Sequence, residues 1–262
     1  MYDDEEIINK GVLSDMEHDS SRTGYHQPRP KPEGLEFSGA AWDEDLEEDK
    51  NYFEEPQINL IWAQGYTPDG RQGAIGFHGS MPWHLKEDLQ HFQELTISHP
   101  VVMGRKTWES LNPRFRPLSQ RDNIVVSHDP AYRAPGASVA ENLEEALHMA
   151  SQPSIPDDGI RRGEIWIIGG SQLYSQLIDR ADHIYVTDID LAVEADSFAP
   201  NVDDLVKAGT FEVSADSGWL VPAGTVASLQ TGSDSPAGTV SRYRFRTLTR
   251  AEEGSPSAEE EL

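Results

Sequence analysis

The middle of the chain alternates short strand-like runs with helical segments, and this alternation limits the fold more than any other feature. The runs are rich in β-branched or aromatic residues and cover residues 58–63, 101–103, 123–127, 164–168, 183–188 and 243–248. The helical segments cover residues 86–96, 106–111, 143–150 and 171–178. This order predicts an α/β domain, with a single mostly parallel twisted sheet and helices on both faces. Phe211, Val213 and the alternating arginines of 243–248 predict an antiparallel C-terminal pair, with 243–248 as an edge strand.

The charge of the chain is strongly negative and is concentrated at its ends. The 262 residues hold 21 Lys and Arg against 46 Asp and Glu, a net charge of −25 that would repel nucleic acids and anionic membranes. Residues 1–55 hold 17 acids and 5 bases with few aliphatic side chains, which predicts a mostly disordered acidic extension. Residues 251–262 predict a second acidic tail, which leaves 56–250 as the folded domain.

Cysteine content and targeting signals narrow the class of protein. The absence of cysteine excludes disulfides and thiolate metal sites, and the nine histidines show no metal-binding spacing. The N-terminus lacks the stretches of a secretory signal, and no apolar run approaches the ~20 residues of a membrane span. We therefore expect a cytoplasmic protein without a membrane partner. A body of this size can bury a sufficient core alone, so we expect a monomer.

One acidic residue falls on the apolar face of the first predicted helix. At about 100° per residue, a mostly apolar stripe runs along this helix and is made of Leu85, Leu89, Phe92, Leu95 and Thr96. Asp88 lies within that stripe. A buried carboxylate is costly unless it is paired. Asp88 is therefore predicted either to bind a ligand or to be satisfied within the protein, by Thr187 or by backbone donors.

Two of the predicted strands end in glycine-rich turns that open a helix. These turns are Gly104-Arg105-Lys106-Thr107 and Gly169-Gly170-Ser171. Free N–H groups, bases and hydroxyls at such turns bind phosphates, so the pair predicts a pyrophosphate site. Ser127 ends a neighbouring predicted strand and His128 follows it; with Arg105, they are predicted to hold the extra phosphate that separates NADP from NAD. The alternative is that the glycines only make tight turns.

Five sequence blocks occur in a specific order and spacing. They are the strand 58–63, the loop from Ile75-Gly76 to Met81-Pro82-Trp83, the helix with Asp88 and Phe92, the run 102–110, and Trp166-Ile167-Ile168-Gly169-Gly170. Together they closely resemble the dihydrofolate reductase family over about residues 57–248. The resemblance implies NADPH-dependent reduction of 7,8-dihydrofolate to 5,6,7,8-tetrahydrofolate, by hydride transfer to C6 and protonation at N5. This reaction supports one-carbon metabolism and thymidylate synthesis.

The resemblance also implies which residues form the substrate site. Asp88 matches the carboxylate that binds the pterin, and Thr187 matches the threonine that supports it. A water that is ordered by Trp83 and admitted near Met81 is the expected proton donor. Arg121 matches the arginine that binds the glutamate tail of the substrate. The apolar walls of the site match Ile61, Ala63, Leu85, Phe92, Leu118 and Ile168.

An NADPH site along the glycine-rich turns follows from the same resemblance. Tyr174 is expected beside the nicotinamide, under a mobile loop that includes Ile75 and Gly76. The full set of implied NADPH contacts is Ala63, Ile75, Gly76, Gly104, Arg105, Lys106, Thr107, Ser127, His128, Ile168, Gly169, Gly170, Ser171, Gln172, Leu173 and Tyr174. Dihydrofolate and antifolate inhibitors are the expected small-molecule partners, and no metal is expected.

The chain departs from the family pattern in places, and two other functions remain open. Ser119-Gln120-Arg121 stands where the family usually has Pro-Gly-Arg, which bears on the aim of Arg121. The stretch 65–73 is longer than in compact members and lies before the closing loop. One alternative is a related reductase that acts on another pterin or on a pyrimidine. The other is a non-catalytic binding module whose acidic leader is the interacting part.

Overall fold

The computed structural model describes residues 55–153, 157–223 and 240–252. Almost all of the predicted extension 1–55 and most of the predicted tail 251–262 lie outside these residues. Within the described part, the strands are β1 (Gln57–Tyr66), β2 (Gln72–Gly76), β3 (Pro100–Gly104), β4 (Asp122–Val126), β5 (Ser138–Ala140), β6 (Glu164–Ile167), β7 (His183–Ala192), β8 (Ser197–Phe198), β9 (Phe211–Asp216) and β10 (Tyr243–Arg250). The α-helices are α1 (Lys86–Thr96), α2 (Arg105–Ser110), α3 (Leu143–Ser151), α4 (Ser171–Leu177) and α5 (Val202–Lys207).

All the described strands join one ten-stranded sheet, in the order β5-β4-β3-β6-β1-β7-β10-β9, with β2 and β8 attached beside β1. The pairs from β5 to β7 are parallel, whereas β10 pairs antiparallel with β7 and β9. The predicted α/β class and the antiparallel C-terminal pair are therefore confirmed. The prediction that 243–248 is an edge strand is wrong, because β9 covers its outer side. The arginines of β10 alternate because Arg244 and Arg246 share one face, where both bind Asp188.

The two faces of the sheet bury different layers of side chains. On one face, Leu60 and Trp62 of β1 pack with α3, α4 and α5. On the other face, Ile61 of β1 packs with Trp108 of α2 and with Phe92 of α1. Because side chains alternate along a strand, β1 contributes side chains to both layers. It is buried on both sides, which is typical of parallel strands that helices cover. The helix with Asp88 therefore lies over the end of β1 that also carries Ala63.

Local sequence signals explain several element boundaries. Asn142 is the N-cap of α3, because its side chain accepts a hydrogen bond from Glu145 N. Most of the long stretch 65–73 lies in the β1–β2 hairpin, with a turn closed by the bond from Thr67 N to Arg71 O at 2.9 Å. The prediction that Leu89 belongs to the buried stripe of α1 is wrong, since this side chain is 42% exposed. It lies about 60° around the helix from Phe92, beyond the side that meets the sheet.

No helix among the described residues is long and apolar enough to cross a membrane. The search for His, Cys, Asp and Glu groups able to hold a metal ion also finds none in that part of the chain.

Candidate active site

Asp88 lies in the first turn of α1, next to Thr187 of β7. The Thr187 hydroxyl of β7 hydrogen-bonds its carboxylate, which on its own would lower the pKa of Asp88. Loss of water contact outweighs this bond and raises the pKa of Asp88 from 3.8 to about 6. The charge of Asp88 also reaches the buried Tyr174, whose own pKa is raised mainly by burial and further by Asp88. Asp88, Thr187 and Tyr174 therefore share one water-poor region.

The residues predicted as apolar walls pack in two clusters. Ile61 is buried and packs with the partly buried set Phe92, Leu118 and Ile168. Leu85 and Trp83 are also buried and pack with the partly buried Ala63. Four of the six predicted wall side chains thus share one packed cluster, and Leu85 and Ala63 share another.

Arg121 sits at the far end of α1 from Asp88. Its guanidinium donates to Thr96 Oγ1 at 2.8 Å, to Ser119 O at 2.8 Å and to Gln93 O at 3.3 Å. It also lies 5.7 Å from the Phe92 ring centroid. Gln120, in place of the usual glycine, adopts the left-handed backbone with φ of 55°. The turn therefore keeps its shape without glycine, and Arg121 is tied to the C-terminal end of α1.

Met81 and Trp83 lie in the loop before α1, and Trp83 packs with Leu85 and Ala63. Met81 is 52% exposed, whereas Trp83 is buried. Among the described residues, the indole N–H of Trp83 is one of a few buried polar atoms without a hydrogen-bond partner. A buried donor of this kind is usually satisfied by water or a ligand. Trp83 therefore has a free donor for the water that the sequence assigns to it.

Asp196 anchors the same loop, and the sequence did not single this residue out. Its carboxylate accepts a bond from His78 N at 2.9 Å, and its backbone N–H donates to Gly76 O at 3.0 Å. The predicted loop residues Ile75 and Gly76 end β2, which also pairs with β8. A two-residue strand such as β8 leaves no periodic signal. The Asp196 contacts therefore could not be predicted from local pattern.

The two glycine-rich turns meet at the carboxyl ends of β3 and β6. Gly104 N donates to Gly169 O at 2.7 Å. Gly169 has φ of 124°, and a Cβ there would lie 3.2 Å from both Thr107 Oγ1 and the Tyr174 hydroxyl. Position 169 thus requires glycine for its conformation and for its close approach to the neighbouring side chains. Gly170 follows and precedes Ser171 at the start of α4.

The remaining predicted cofactor residues divide by exposure. Arg105, Lys106, His128 and Gln172 are exposed, whereas Ser127 is buried at the end of β4. The Leu173 side chain packs in the core, and its N–H already donates to Gly170 O at 2.9 Å. Leu173 thus presents no side chain to a cofactor.

A cavity of about 500 Å³ opens beside Ser127, one strand away from the glycine turns. It is lined by Ser127, Asp129, Pro130, Tyr132, Arg133, Ala134, Pro135, Ala137, Val139, Glu141 and Glu145. The Tyr132 ring links it to the first turn, since the Arg105 guanidinium lies 5.7 Å from the ring centroid. The cavity therefore lies next to the first glycine turn, and its lining mixes apolar side chains with the charged Asp129, Arg133, Glu141 and Glu145.

Tyr174 connects the glycine turns to the Asp88 region. Its hydroxyl donates to Ile61 O at 2.7 Å, and its ring lies 4.9 Å from that of Trp62. Tyr174 therefore occupies the space between the paired glycines and β1, on the path toward Asp88.

Comparison with known proteins places these features in one family. The sequence profile of dihydrofolate reductase matches residues 57–216. Dihydrofolate reductase of Mycobacterium leprae (strain TN) is 42% identical over 168 residues, which are 63% of this chain and 89% of that protein. Dihydrofolate reductase type 3 of Salmonella typhimurium is 42% identical over 144 residues, 55% of this chain and 78% of that protein.

A solved structure agrees with the sequence matches. Enterococcus faecalis dihydrofolate reductase, complexed with NADP(H) and RAB-propyl, superposes with a TM-score of 0.55 at 32% identity. The alignment covers 75% of this chain and 97% of that one. Because the profile spans more than half of the chain and the fold agrees, this chain belongs to the dihydrofolate reductase family.

Proposed function

We propose that the Asp88 site catalyses the NADPH-dependent reduction of 7,8-dihydrofolate to 5,6,7,8-tetrahydrofolate, with the residue roles given below. The observation that carries these roles is a partly buried carboxylate whose pKa is raised by burial and lowered by the neighbouring Thr187 hydroxyl, and whose charge reaches the buried Tyr174. A carboxylate with a pKa of about 6 is mostly ionised at neutral pH, so it can accept two hydrogen bonds from a ligand.

On the substrate side, Asp88 binds the 2-amino group and the adjacent ring nitrogen of the pterin. Two parallel donors on a flat heterocycle suit the two oxygens of one carboxylate. Thr187 holds the carboxylate in that orientation through its hydroxyl. The buried Ile61 and Leu85 exclude water from the bound ring, which strengthens the interaction with the acid. Arg121 lies at the other end of α1, where the glutamate tail of the substrate would reach.

On the cofactor side, the paired glycine turns fit a pyrophosphate. Only backbone atoms lie within 4 Å of the place where a Cβ of Gly104 would be, so backbone and phosphate can approach closely there. The cavity beside Ser127 then suits the adenosine half, and the exposed Arg105 suits the extra phosphate. Tyr174 borders the nicotinamide half, nearest to Asp88. NADPH, when bound, supplies the hydride that C6 of the pterin accepts.

The proton reaches N5 from water rather than from Asp88. Asp88 binds the opposite side of the pterin and cannot reach N5, although its negative charge favours protonation of the ring. The free N–H of Trp83 orders this water, and the exposed Met81 leaves a path for it from solvent. The protein thus contributes orientation, charge and water exclusion, while the cofactor contributes the reductant.

The test follows NADPH absorbance after the protein is mixed with NADPH and 7,8-dihydrofolate. We expect oxidation that depends on dihydrofolate and that falls at least about a hundredfold in Asp88→Asn. The matched control is Glu94→Gln, an exposed carboxylate on the same helix, which should retain wild-type turnover. Turnover of Asp88→Asn close to that of wild type would contradict the proposed role of Asp88. If wild type gave no oxidation, and an antifolate also failed to raise its melting temperature, the non-catalytic alternative would be favoured.

We also propose that the protein is a cytoplasmic monomer, that antifolates compete for the Asp88 site, and that nucleic acids are not partners. The net charge of −25 supports the last point. Size-exclusion chromatography with light scattering tests the monomer, and a dimeric mass would contradict it.

A further inference from the structure

Asp188 lies on β7 directly after Thr187 and points to the opposite face of the sheet. We propose that Asp188 is a positioning residue, which fixes both Thr187 and Tyr174 without touching substrate or cofactor. The proposal rests on the proposed function of the Asp88 site, because it concerns how that site is held in place.

The buried Asp188 carboxylate joins three neighbouring strands. It accepts a hydrogen bond from Gln64 Nε2 of β1 at 2.8 Å. From β10 it accepts bonds from Arg244 Nε at 2.8 Å and from Arg246 Nη2 at 3.1 Å. Asp188 stands opposite Gln64 and Arg244 in the strand register, so these bonds run straight across the sheet. Charge-assisted bonds are stronger than neutral ones, and they hold β1, β7 and β10 together at this row.

The adjacent row, on the other face, contains the partner of the active-site acid. Thr187 stands opposite Ala63 of β1 and Phe245 of β10. Successive side chains of a strand point to opposite faces, so Thr187 points toward Asp88 while Asp188 points away. A twist of β7 at Asp188 would therefore move the Thr187 hydroxyl relative to the carboxylate that it supports.

A second connection leads from Asp188 to the cofactor side. Gln64, held by Asp188, accepts a hydrogen bond at its Oε1 from Trp62 Nε1 at 2.8 Å. The Trp62 ring packs on Tyr174, whose hydroxyl donates to Ile61 O at 2.7 Å. Gln64 is 4% exposed and Trp62 is 5% exposed, so neither can exchange its partner for bulk water. Loss of the Asp188 bond therefore loosens Gln64, then Trp62, and then Tyr174.

The charges around Asp188 support a positioning role rather than a ligand site. Arg246 also binds Asp203 of α5 at 2.8 Å, and Arg244 also binds Asp216 of β9 at 3.3 Å. The lining of the neighbouring cavity of about 200 Å³ includes Asp188, Asp203, Arg244 and Arg246, whose charges are already engaged with one another. The network therefore orders the sheet instead of offering a free charge to a ligand.

The test measures single-turnover NADPH oxidation in Asp188→Asn. A displaced site slows the hydride-transfer rate constant, whereas simple loss of folded protein lowers only the amplitude. We expect the rate constant to fall about tenfold at an amplitude per folded molecule close to wild type. The matched control is Asp216→Asn, which removes a carboxylate from the same Arg244 but does not touch Asp188. Its rate constant should equal that of wild type. A wild-type rate constant in Asp188→Asn, or a loss of amplitude alone, would overturn the proposal.

A second variant, Gln64→Leu, cuts only the connection to the cofactor side and leaves both arginines on Asp188. If Asp188→Asn does not fold, Gln64→Leu provides the test of the proposal. We expect calorimetry with NADPH alone to show at least about threefold weaker binding than wild type. Wild-type affinity would overturn the connection through Trp62. This measurement needs no turnover, so weaker binding in Gln64→Leu would stand even if wild type failed to reduce dihydrofolate and the proposed function fell.

Discussion

Replacing Asp88 with asparagine should make the protein more stable near neutral pH while it removes most of the activity. The carboxylate of the partly buried Asp88 loses much of its hydration, and this burial raises its pKa from 3.8 to about 6. In the unfolded chain the same group ionises near its ordinary value. Once Asp88 is ionised in both states, this pKa difference lowers the free energy of unfolding of wild type by at most about 3 kcal/mol.

The pH dependence has a definite sign. The pKa of Asp88 is higher in the folded state than in the unfolded state. Its contribution to the free energy of unfolding is therefore most favourable below about pH 4, where both states are protonated, and is lost as the pH rises toward 6. Wild type and Asp88→Asn should therefore have similar free energies of unfolding at about pH 4. At about pH 8 the variant should be more stable by roughly 2–3 kcal/mol.

The assay is urea unfolding followed by tryptophan fluorescence from about pH 4 to about pH 8. Low protein concentration is needed, because the isoelectric point is about 4.5 and the chain has little net charge there. Glu94→Gln, on the exposed side of the same helix, should differ from wild type by less than about 0.5 kcal/mol throughout. A stability gain in Asp88→Asn that is the same at both ends of the pH range would refute the argument from burial.

Three further substitutions test other parts of the site. Thr187→Val removes the hydroxyl that lowers the pKa of Asp88, so the acidic limb of the pH–rate profile should move to higher pH. An unchanged acidic limb would contradict the interaction between Thr187 and Asp88. Gly169→Ala places a methyl group 3.2 Å from Thr107 Oγ1 at φ of 124°, so calorimetry should show NADPH binding weakened at least about tenfold, and unchanged affinity would argue against a phosphate site there. Gln120→Gly relieves the strain of a left-handed residue with φ of 55°, so urea unfolding should show a free energy of unfolding higher by about 0.5–1 kcal/mol. A lower free energy of unfolding would mean that the Gln120 side chain stabilises the fold by more than its backbone strain costs.

The substrate-facing acid and the glycine turns could be predicted because each rests on a local pattern. Asp88 stood out as an acid among apolar positions of one helix, and Gly104 and Gly169 stood out as glycines where strands give way to helices. The parallel order of the strands then follows from the need for a helical crossover between them. These features depend on neighbours within a few residues, which a single sequence displays.

The amino-acid sequence by itself determined the α/β class, the acid-bearing helix and the glycine turns, because periodicity and turn chemistry are properties of short segments. Only the tertiary structure decided which distant residues meet. The Asp188 partners Gln64 and Arg246 lie 124 and 58 residues away, and Asp196 reaches His78 across 118 residues. It also decided that β10 lies inside the sheet and that Leu89 faces outward. Contacts of this kind depend on strand register and on which side of a helix meets the sheet, and both are fixed by the packing of the whole core rather than by any one segment.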